Sequence, residues 1–76
     1  MDYFETVRSS ARARLLDLML NAIEAREIGG DFARSQRDNF IGAVEMYETV
    51  FKETVYYDLT TATVIPDIVY EAEDAE

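Results

Sequence analysis

The chain is short, acidic and free of histidine and cysteine: its 76 residues carry a formal net charge of −9. A chain of this length forms one domain, so we treat residues 1–76 as a single small domain. Without histidine or cysteine it lacks the usual general base, the usual zinc ligands and the thiol nucleophile, so we expect no enzymatic activity, no cofactor and no bound metal.

The first predicted element is a helix over roughly residues 2–27, around the dense apolar run of residues 15–23. Asp2 can cap this helix, with Glu5 completing a capping box, while Gly29 and Gly30 can end it. Apolar residues recur at steps of three and four, which is typical of a helix. One face holds Leu15, Leu18, Met19 and Ala22, and a neighbouring face holds Leu16, Leu20 and Ile23. Because so wide an apolar arc needs cover on two sides, we expect a homodimer or an obligate complex.

A polar stretch over residues 31–39 follows, and Asp31 or Ser35 can cap a second helix. The apolar positions of that helix are Phe40, Ala43, Val44, Tyr47, Val50, Phe51 and Val55. Glu48 and Lys52 have the spacing of a favourable ion pair on the opposite face. We interpret Gly42 as a point where the two helices approach closely. The short glycine connection predicts antiparallel packing of the two helices.

Residues 54–65 are rich in β-branched and aromatic side chains, which favours an extended chain. We therefore predict that the second helix ends in the middle fifties and that an extended segment follows. This segment pairs either with residues 64–70 of its own chain or with a second subunit. Pro66 and Asp67 alternatively open a short helical turn through residues 68–70, and residues 71–76 read as an acidic tail. The predicted fold is mainly α: an antiparallel two-helix hairpin, then an extended (β-like) or short helical segment, then the tail.

The distribution of charge is the most informative functional feature. The chain has five acids and four arginines through Gly30, then four acids and three bases through Lys52, and then seven acids with no base. Arg8, Arg12 and Arg14 form a small basic cluster, which we interpret as part of a solvated face of mixed charge. The excess of acid argues against direct binding of nucleic acid, which needs positive charge at the contact.

The acidic final third has three interpretations: a solubilising tail, a surface that docks on a basic protein, or an imitation of DNA phosphates that occupies a nucleic-acid channel. Tyrosines lie among the acids, and tyrosine is enriched at binding hot spots. The predicted partner-binding residues are Glu53, Tyr56, Tyr57, Asp58, Asp67, Tyr70, Glu71, Glu73 and Asp74. The expected partner is a larger basic protein or nucleoprotein complex.

Small size, acidity, lack of cysteine and lack of a catalytic motif together resemble the small phage-encoded proteins that block bacterial defence, such as anti-CRISPR proteins. The acids that carry the resemblance are Glu53, Asp58, Asp67, Glu71, Glu73, Asp74 and Glu76. The resemblance implies a stoichiometric inhibitor that binds a defence complex. Those proteins share no common fold or motif, so no residue role is transferred from them.

Two functions follow as hypotheses: an acidic inhibitor that binds a basic surface, and a helical dimerisation or assembly module without an inhibitory role. The acidic start differs from a signal peptide, and the longest apolar run is too short to span a bilayer. We therefore expect no membrane association and a cytoplasmic location, in the host cell if the protein is phage-encoded.

Overall fold

The chain folds as two helices followed by a small two-stranded sheet. A computed structural model describes residues 2–60 and 68–73, with α1 at Tyr3–Ile28, α2 at Gly30–Phe51, β1 at Glu53–Tyr56 and β2 at Val69–Ala72. The strands pair antiparallel. The prediction of a helical hairpin with a C-terminal extended segment is confirmed. Residues 69 and 70 belong to a strand, so the alternative of a helical turn there is wrong, whereas Pro66 and Asp67 lie outside the described residues.

The start of α1 is fixed by the predicted cap. The carboxylate of Asp2 accepts a hydrogen bond from the Phe4 amide at 3.2 Å, which satisfies one of the amides that a helix leaves unpaired at its start. Glu5 contacts the guanidinium of Arg8 instead of completing a capping box. The ring of Phe4 meets Phe51 edge-on, with 5.4 Å between centroids, so the start of α1 lies against the end of α2. The helices are therefore antiparallel.

The turn between the helices is a single residue. Gly29 has a φ of 75°, and its amide donates to the carbonyl of Ala25 at 3.0 Å. α2 then begins at Gly30, so residues 31–39 are helical rather than a connecting stretch. Gly29 occupies the N-cap position that was predicted for Asp31 or Ser35. The prediction failed because the polar residues of this stretch form the solvent side of the helix rather than a break before it.

The core lies between the two helices and β1. Its buried apolar residues are Leu15, Met19, Ala22, Phe40, Val44, Tyr47 and Val55. The second apolar face of α1 is only partly covered, because Leu16 is 40% exposed while Leu20 and Ile23 are half-buried. Gly42 is exposed, and a Cβ placed on it meets no atom within 4 Å, so the interpretation of a close helix approach there is wrong. Within the described residues, neither helix is long and apolar enough to cross a membrane.

The chain leaves α2 at Lys52, which adopts the left-handed conformation with φ 57° and ψ 47°. The amide of Lys52 donates to the carbonyl of Glu48 at 3.0 Å. The carboxylate of Glu48 accepts from the amide of Val55 at 2.8 Å instead of pairing with Lys52, so the predicted helical ion pair is not formed. Val55 lies in β1, so it is a strand residue and not the last apolar position of the helix.

The register of the sheet brings the acidic end of the chain back to the end of α2. Glu53 lies opposite Ala72, Thr54 opposite Glu71, Val55 opposite Tyr70, and Tyr56 opposite Val69. The amide of Glu73 donates to the carbonyl of Lys52 at 3.0 Å, just beyond the paired residues. The stretch predicted as a tail over residues 71–76 thus begins inside β2, and residues 74–76 lie outside the described part of the chain.

Candidate protein-binding surface

The inner side of the sheet is fastened to the helices by a buried polar cluster, which we call the anchor cluster and define as Arg8, Arg12, Tyr47 and Glu53. Glu53 is only 5% exposed, although it is a charged residue at the start of β1. Arg12 Nη2 donates to Glu53 Oε1 at 2.8 Å, and Arg8 Nη1 donates to Glu53 Oε2 at 3.2 Å. The Tyr47 hydroxyl donates to Oε1 at 2.6 Å. Both carboxylate oxygens of Glu53 are thus occupied, as a buried charge requires.

The anchor cluster keeps Glu53 ionised. Burial alone would raise the pKa of Glu53, but hydrogen bonds from Tyr47 and Arg12, with the positive charges of Arg12 and Arg8, outweigh it and lower the pKa below its ordinary value. Burial raises the pKa of Tyr47 to about 12, against the opposing effect of the Arg12 hydrogen bond. At neutral pH the cluster therefore combines one carboxylate, two guanidinium groups and a neutral phenol.

The second strand is attached through Tyr70. The guanidinium of Arg12 lies 4.2 Å from the centroid of the Tyr70 ring, within the range of a cation–π interaction. The same ring is 5.2 Å from the ring of Tyr47. Burial raises the pKa of Tyr70 as well. Arg12 thus contacts a residue of α2 and residues of both strands, so the sheet is fixed to the helical hairpin along its inner side.

The anchor cluster corrects one interpretation of the sequence. Arg8 and Arg12 were assigned to a solvated face of mixed charge, but they bind a carboxylate that is 45 and 41 positions away in the chain, respectively. Spacing on one helix carries no information about a partner so distant in sequence. Two features of the sequence do point to the anchor cluster. Arg8 and Arg12 share one face of the first helix, and Tyr47 lies on the inner face of the second.

The opposite side of the sheet is exposed, and we call it the outer hairpin face: Thr54, Tyr56, Val69 and Glu71. Side chains alternate along a strand, and directly opposed residues share one face. Since Glu53 and Val55 are buried, their neighbours on β1 and the residues opposite those neighbours point outward. Tyr56 is 50% exposed and the adjacent Val69 is 52% exposed, with the exposed carboxylate of Glu71 beside half-buried Thr54.

A shallow acidic groove of about 410 Å³ lies where β2 ends against α2. Glu73 lines it together with Glu45, Glu48, Thr49 and Lys52. The described lining of the groove therefore provides three carboxylates and one ammonium group. Within residues 2–60 and 68–73, no group of three or more acidic side chains is arranged to hold a metal ion. The feature that these residues offer is a negative surface for positively charged side chains.

Three of the predicted partner-binding residues lie together on the surface: Tyr56, Glu71 and Glu73 are exposed at the sheet. Asp58 is also exposed, just beyond β1, and its carboxylate accepts from the Thr60 amide at 2.8 Å. Tyr56 and Glu71 share the outer hairpin face, Glu73 lies in the acidic groove just beyond β2, and Asp58 lies just beyond β1. They form the part of the predicted set that is available to a partner.

The remaining predicted residues are placed differently. Glu53 is buried in the anchor cluster, so its carboxylate is not presented to a partner, and this corrects its assignment to the contact set. Tyr57 is half-buried, with its ring edge-on to Phe40 at 4.8 Å between centroids, and Tyr70 is half-buried against Arg12. Asp67 and Asp74 lie outside the described residues.

Protein-family models, curated proteins and solved structures were compared with the chain, and none of them matches it.

Proposed function

We propose that the protein is a non-enzymatic inhibitor that binds a basic protein surface through the outer hairpin face and the neighbouring Glu73. The observation that supports this most directly is the position of Tyr56. It is half-exposed beside the half-exposed Val69, on a sheet whose reverse side is fastened by the anchor cluster. A tyrosine with an apolar neighbour and an acidic rim is the composition of a binding hot spot.

The rigidity of the reverse side favours binding. Association is weakened when loops and side chains must become ordered at the interface. Here Arg12 contacts both strands, and Glu53 is bonded to residues of both helices. The outer hairpin face is therefore held in place before a partner arrives, so the partner does not have to order a flexible segment.

The charge indicates the class of partner. Glu71 and Glu73 lie in a segment with no basic residue after Lys52, and Glu45 and Glu48 extend the negative surface along α2. Such a surface attracts a positively charged partner over long range and repels nucleic acid. Basic grooves that normally receive nucleic acid are the partners we propose, so the protein would occupy them as a mimic of DNA in the cytoplasm, that of the host cell if it is phage-encoded. The resemblance to anti-CRISPR proteins points the same way, to an anti-CRISPR or anti-restriction inhibitor.

The test is affinity capture from a bacterial lysate at low and high salt, followed by a displacement assay on the captured partner. We expect a nucleic-acid-binding protein that is retained at low salt, released at high salt, and unable to hold its nucleic acid when the inhibitor is added in equal amount. A captured partner that binds nucleic acid and the inhibitor simultaneously would contradict the proposal.

A second candidate function is a helical dimerisation module. It is favoured by the 40% exposure of Leu16 on the partly covered face of α1. Truncation after Pro66 does not separate the two functions, because it removes β2 and with it the contact between Tyr70 and Arg12. Leu16→Gln is the better variant. If the protein is a dimerisation module, sedimentation at micromolar concentration shows a dimer for the native chain and a monomer for the variant. If it is an inhibitor, the variant still binds its partner.

A further inference from the structure

A cleft lined by arginines lies at the end of the molecule where the two helices are joined. We call it the arginine cleft and define it by Arg26 from α1, Arg34 and Arg37 from α2, and the segment of residues 57–60 that follows β1. Its volume is about 690 Å³, which is within the usual range of small-molecule sites. The small side chains of Ala22 and Ala33 also line it, so the cleft has room between the three long cationic side chains.

The charge of the cleft is opposite to that of the whole protein. The chain has only seven basic residues and a net charge of −9, yet three of the seven line this one cleft. Among the described residues that line it, Asp58 is the only acid, and its carboxylate accepts from the Thr60 amide. Within the lining that the structure describes, three guanidinium groups stand against one carboxylate, which leaves a local surplus of positive charge on a protein whose net charge is negative.

Of the three arginines, Arg26 has a clear structural role in holding the fold together, whereas Arg34 and Arg37 do not. Arg26 Nη1 donates to the carbonyls of Leu59 and Thr60, which ties the segment after β1 to α1. Arg34 makes only a long, exposed ion pair with Asp31, at 3.6 Å. Arg37 makes no hydrogen bond or ion pair with any residue among 2–60 and 68–73. Within the part of the chain that the structure describes, the fold thus uses Arg37 in no polar contact and Arg34 only in the exposed pair with Asp31, beside Arg26, which backbone carbonyls hold in position.

The N-terminus of α2 adds to the positive character of the cleft. Gly30, the first residue of this 22-residue helix, lines the cleft. The first amides of a helix lack partners within it, and this end of the helix dipole is positive. Arg34 and Arg37 lie one and two turns further along the same helix, so the helix end and the guanidinium groups favour the same kind of ligand.

We propose that the arginine cleft binds a small anion bearing phosphate groups. The planar guanidinium group donates two parallel hydrogen bonds to phosphate oxygens, and arginine is favoured wherever such paired recognition is needed. Three guanidinium groups from two helices can surround a ligand with two phosphates, with the apolar side of the cleft against the remainder. This site is separate from the outer hairpin face, and its existence does not depend on the proposed inhibitor function.

The test uses inorganic pyrophosphate as the probe, titrated into the full-length protein by calorimetry at low salt. We expect saturable binding of one pyrophosphate per chain, weakened about ten-fold by Arg37→Gln and by Arg34→Gln, since each removes a charge-assisted contact. Arg14→Gln is the matched control, because it removes the same charge from an exposed position on α1 outside the cleft. This control is expected to bind within about two-fold of the native chain.

The outcomes distinguish specific binding of pyrophosphate in the cleft from non-specific electrostatic attraction. Absence of saturable binding, or equal weakening by the Arg37→Gln and Arg14→Gln variants, would overturn the proposal. Succinate binding as tightly as pyrophosphate would overturn the assignment to phosphate. Circular dichroism is expected to show unchanged helix content in all three variants, because the substituted side chains lie at the surface.

Discussion

Arg12 on α1 donates from Nη2 to Oε1 of Glu53 on β1 across 2.8 Å, joining two residues that are 41 positions apart in the chain. The same guanidinium group donates from Nε to the Tyr47 hydroxyl at 2.8 Å and lies over the ring of Tyr70. One side chain thus connects both helices with both strands. A sheet of two strands is marginal by itself in water, so contacts such as these with the helices stabilise it.

Replacing Glu53 by glutamine is expected to destabilise the protein by about 1–3 kcal/mol. The amide keeps the shape of the side chain but removes the carboxylate that pairs with Arg12 and leaves Arg8 with Glu5 alone. The full cost of breaking a buried ion pair is reduced here because the arginine side chains are 28% and 38% exposed. Urea unfolding followed by circular dichroism measures the difference.

Glu45→Gln is the matched control for the loss of one negative charge. Glu45 is exposed on α2, and we expect its substitution to change stability by less than about 0.5 kcal/mol. Equal stability of the Glu53→Gln and Glu45→Gln variants would show that the anchor cluster does not hold the sheet.

The stabilisation from Glu53 is expected to disappear in acid. Because its pKa is lowered in the folded protein, the unfolded chain binds a proton first as the pH falls. The contribution of Glu53 is therefore complete above its ordinary pKa of about 4.3 and is lost as the pH falls through the lower folded value. We expect the difference in unfolding free energy between the native chain and the Glu53→Gln variant to shrink from about pH 6 to about pH 3.

Comparing the two proteins at each pH removes the effect of the other carboxylates, which titrate in both. A difference that stayed constant over this range would contradict the ionised state of Glu53 in the anchor cluster. A difference that grew in acid would contradict the direction of its pKa shift.

The two helices were predictable because their contacts are repeated locally. The spacing of apolar residues around Leu15 and Phe40 fixes which side of each helix is buried, and Asp2 provides a local cap. The fate of Glu53 was not predictable in this way. Its neighbours in sequence are uncharged or acidic apart from Lys52, and the arginines that bind it lie on α1. From the sequence alone, Glu53 is one acid in an acidic segment and is expected to be exposed to solvent. Only the fold shows that it lies beside two arginines of α1.

Gly42→Ala is expected to stabilise the protein by up to about 1 kcal/mol, the difference in helix propensity between the two residues. The position is helical and exposed, and a Cβ there meets no atom within 4 Å. Thermal unfolding measures the gain. A loss of stability would restore the interpretation that Gly42 permits a close approach of the helices.

Gly29→Ala is the same substitution at a position where we expect the opposite effect on stability. Gly29 has φ 75° and ψ −170°, a conformation that residues with a Cβ rarely adopt, although the space around it is open. We expect a loss of about 1–3 kcal/mol from backbone strain alone. Similar stabilities for the two alanine variants would contradict the positive φ of Gly29 in the turn between α1 and α2.

The end of α2 shows a second limit of sequence reasoning. A helix that stops in the left-handed conformation usually does so at glycine, but here Lys52 takes that position with φ 57°. No local residue type marked the stop, and the helical spacing continued to Val55. The hydrogen bond from the Val55 amide to the Glu48 carboxylate, together with the pairing of β1 with β2, overrides that spacing.

Tyr56→Ala is expected to weaken binding of the captured partner at least ten-fold while lowering stability by no more than about 1 kcal/mol, the worth of a cross-strand pair with Val69. The matched control is Tyr3→Ala, since Tyr3 is 82% exposed at the start of α1 and outside the outer hairpin face. Surface plasmon resonance with immobilised partner compares the two. Equal loss of affinity in both would place the contact elsewhere.

The most direct test of the proposed binding surface is the dissociation constant of the partner complex for two double variants with the same net charge. Glu71→Gln with Glu73→Gln neutralises the surface around β2, and Glu24→Gln with Glu27→Gln neutralises two exposed acids near the end of α1. We predict that the first pair weakens binding at least ten-fold at low salt and reduces its salt dependence, while the second changes binding less than about three-fold. Equal effects of the two pairs, or no effect of the first, would contradict the account.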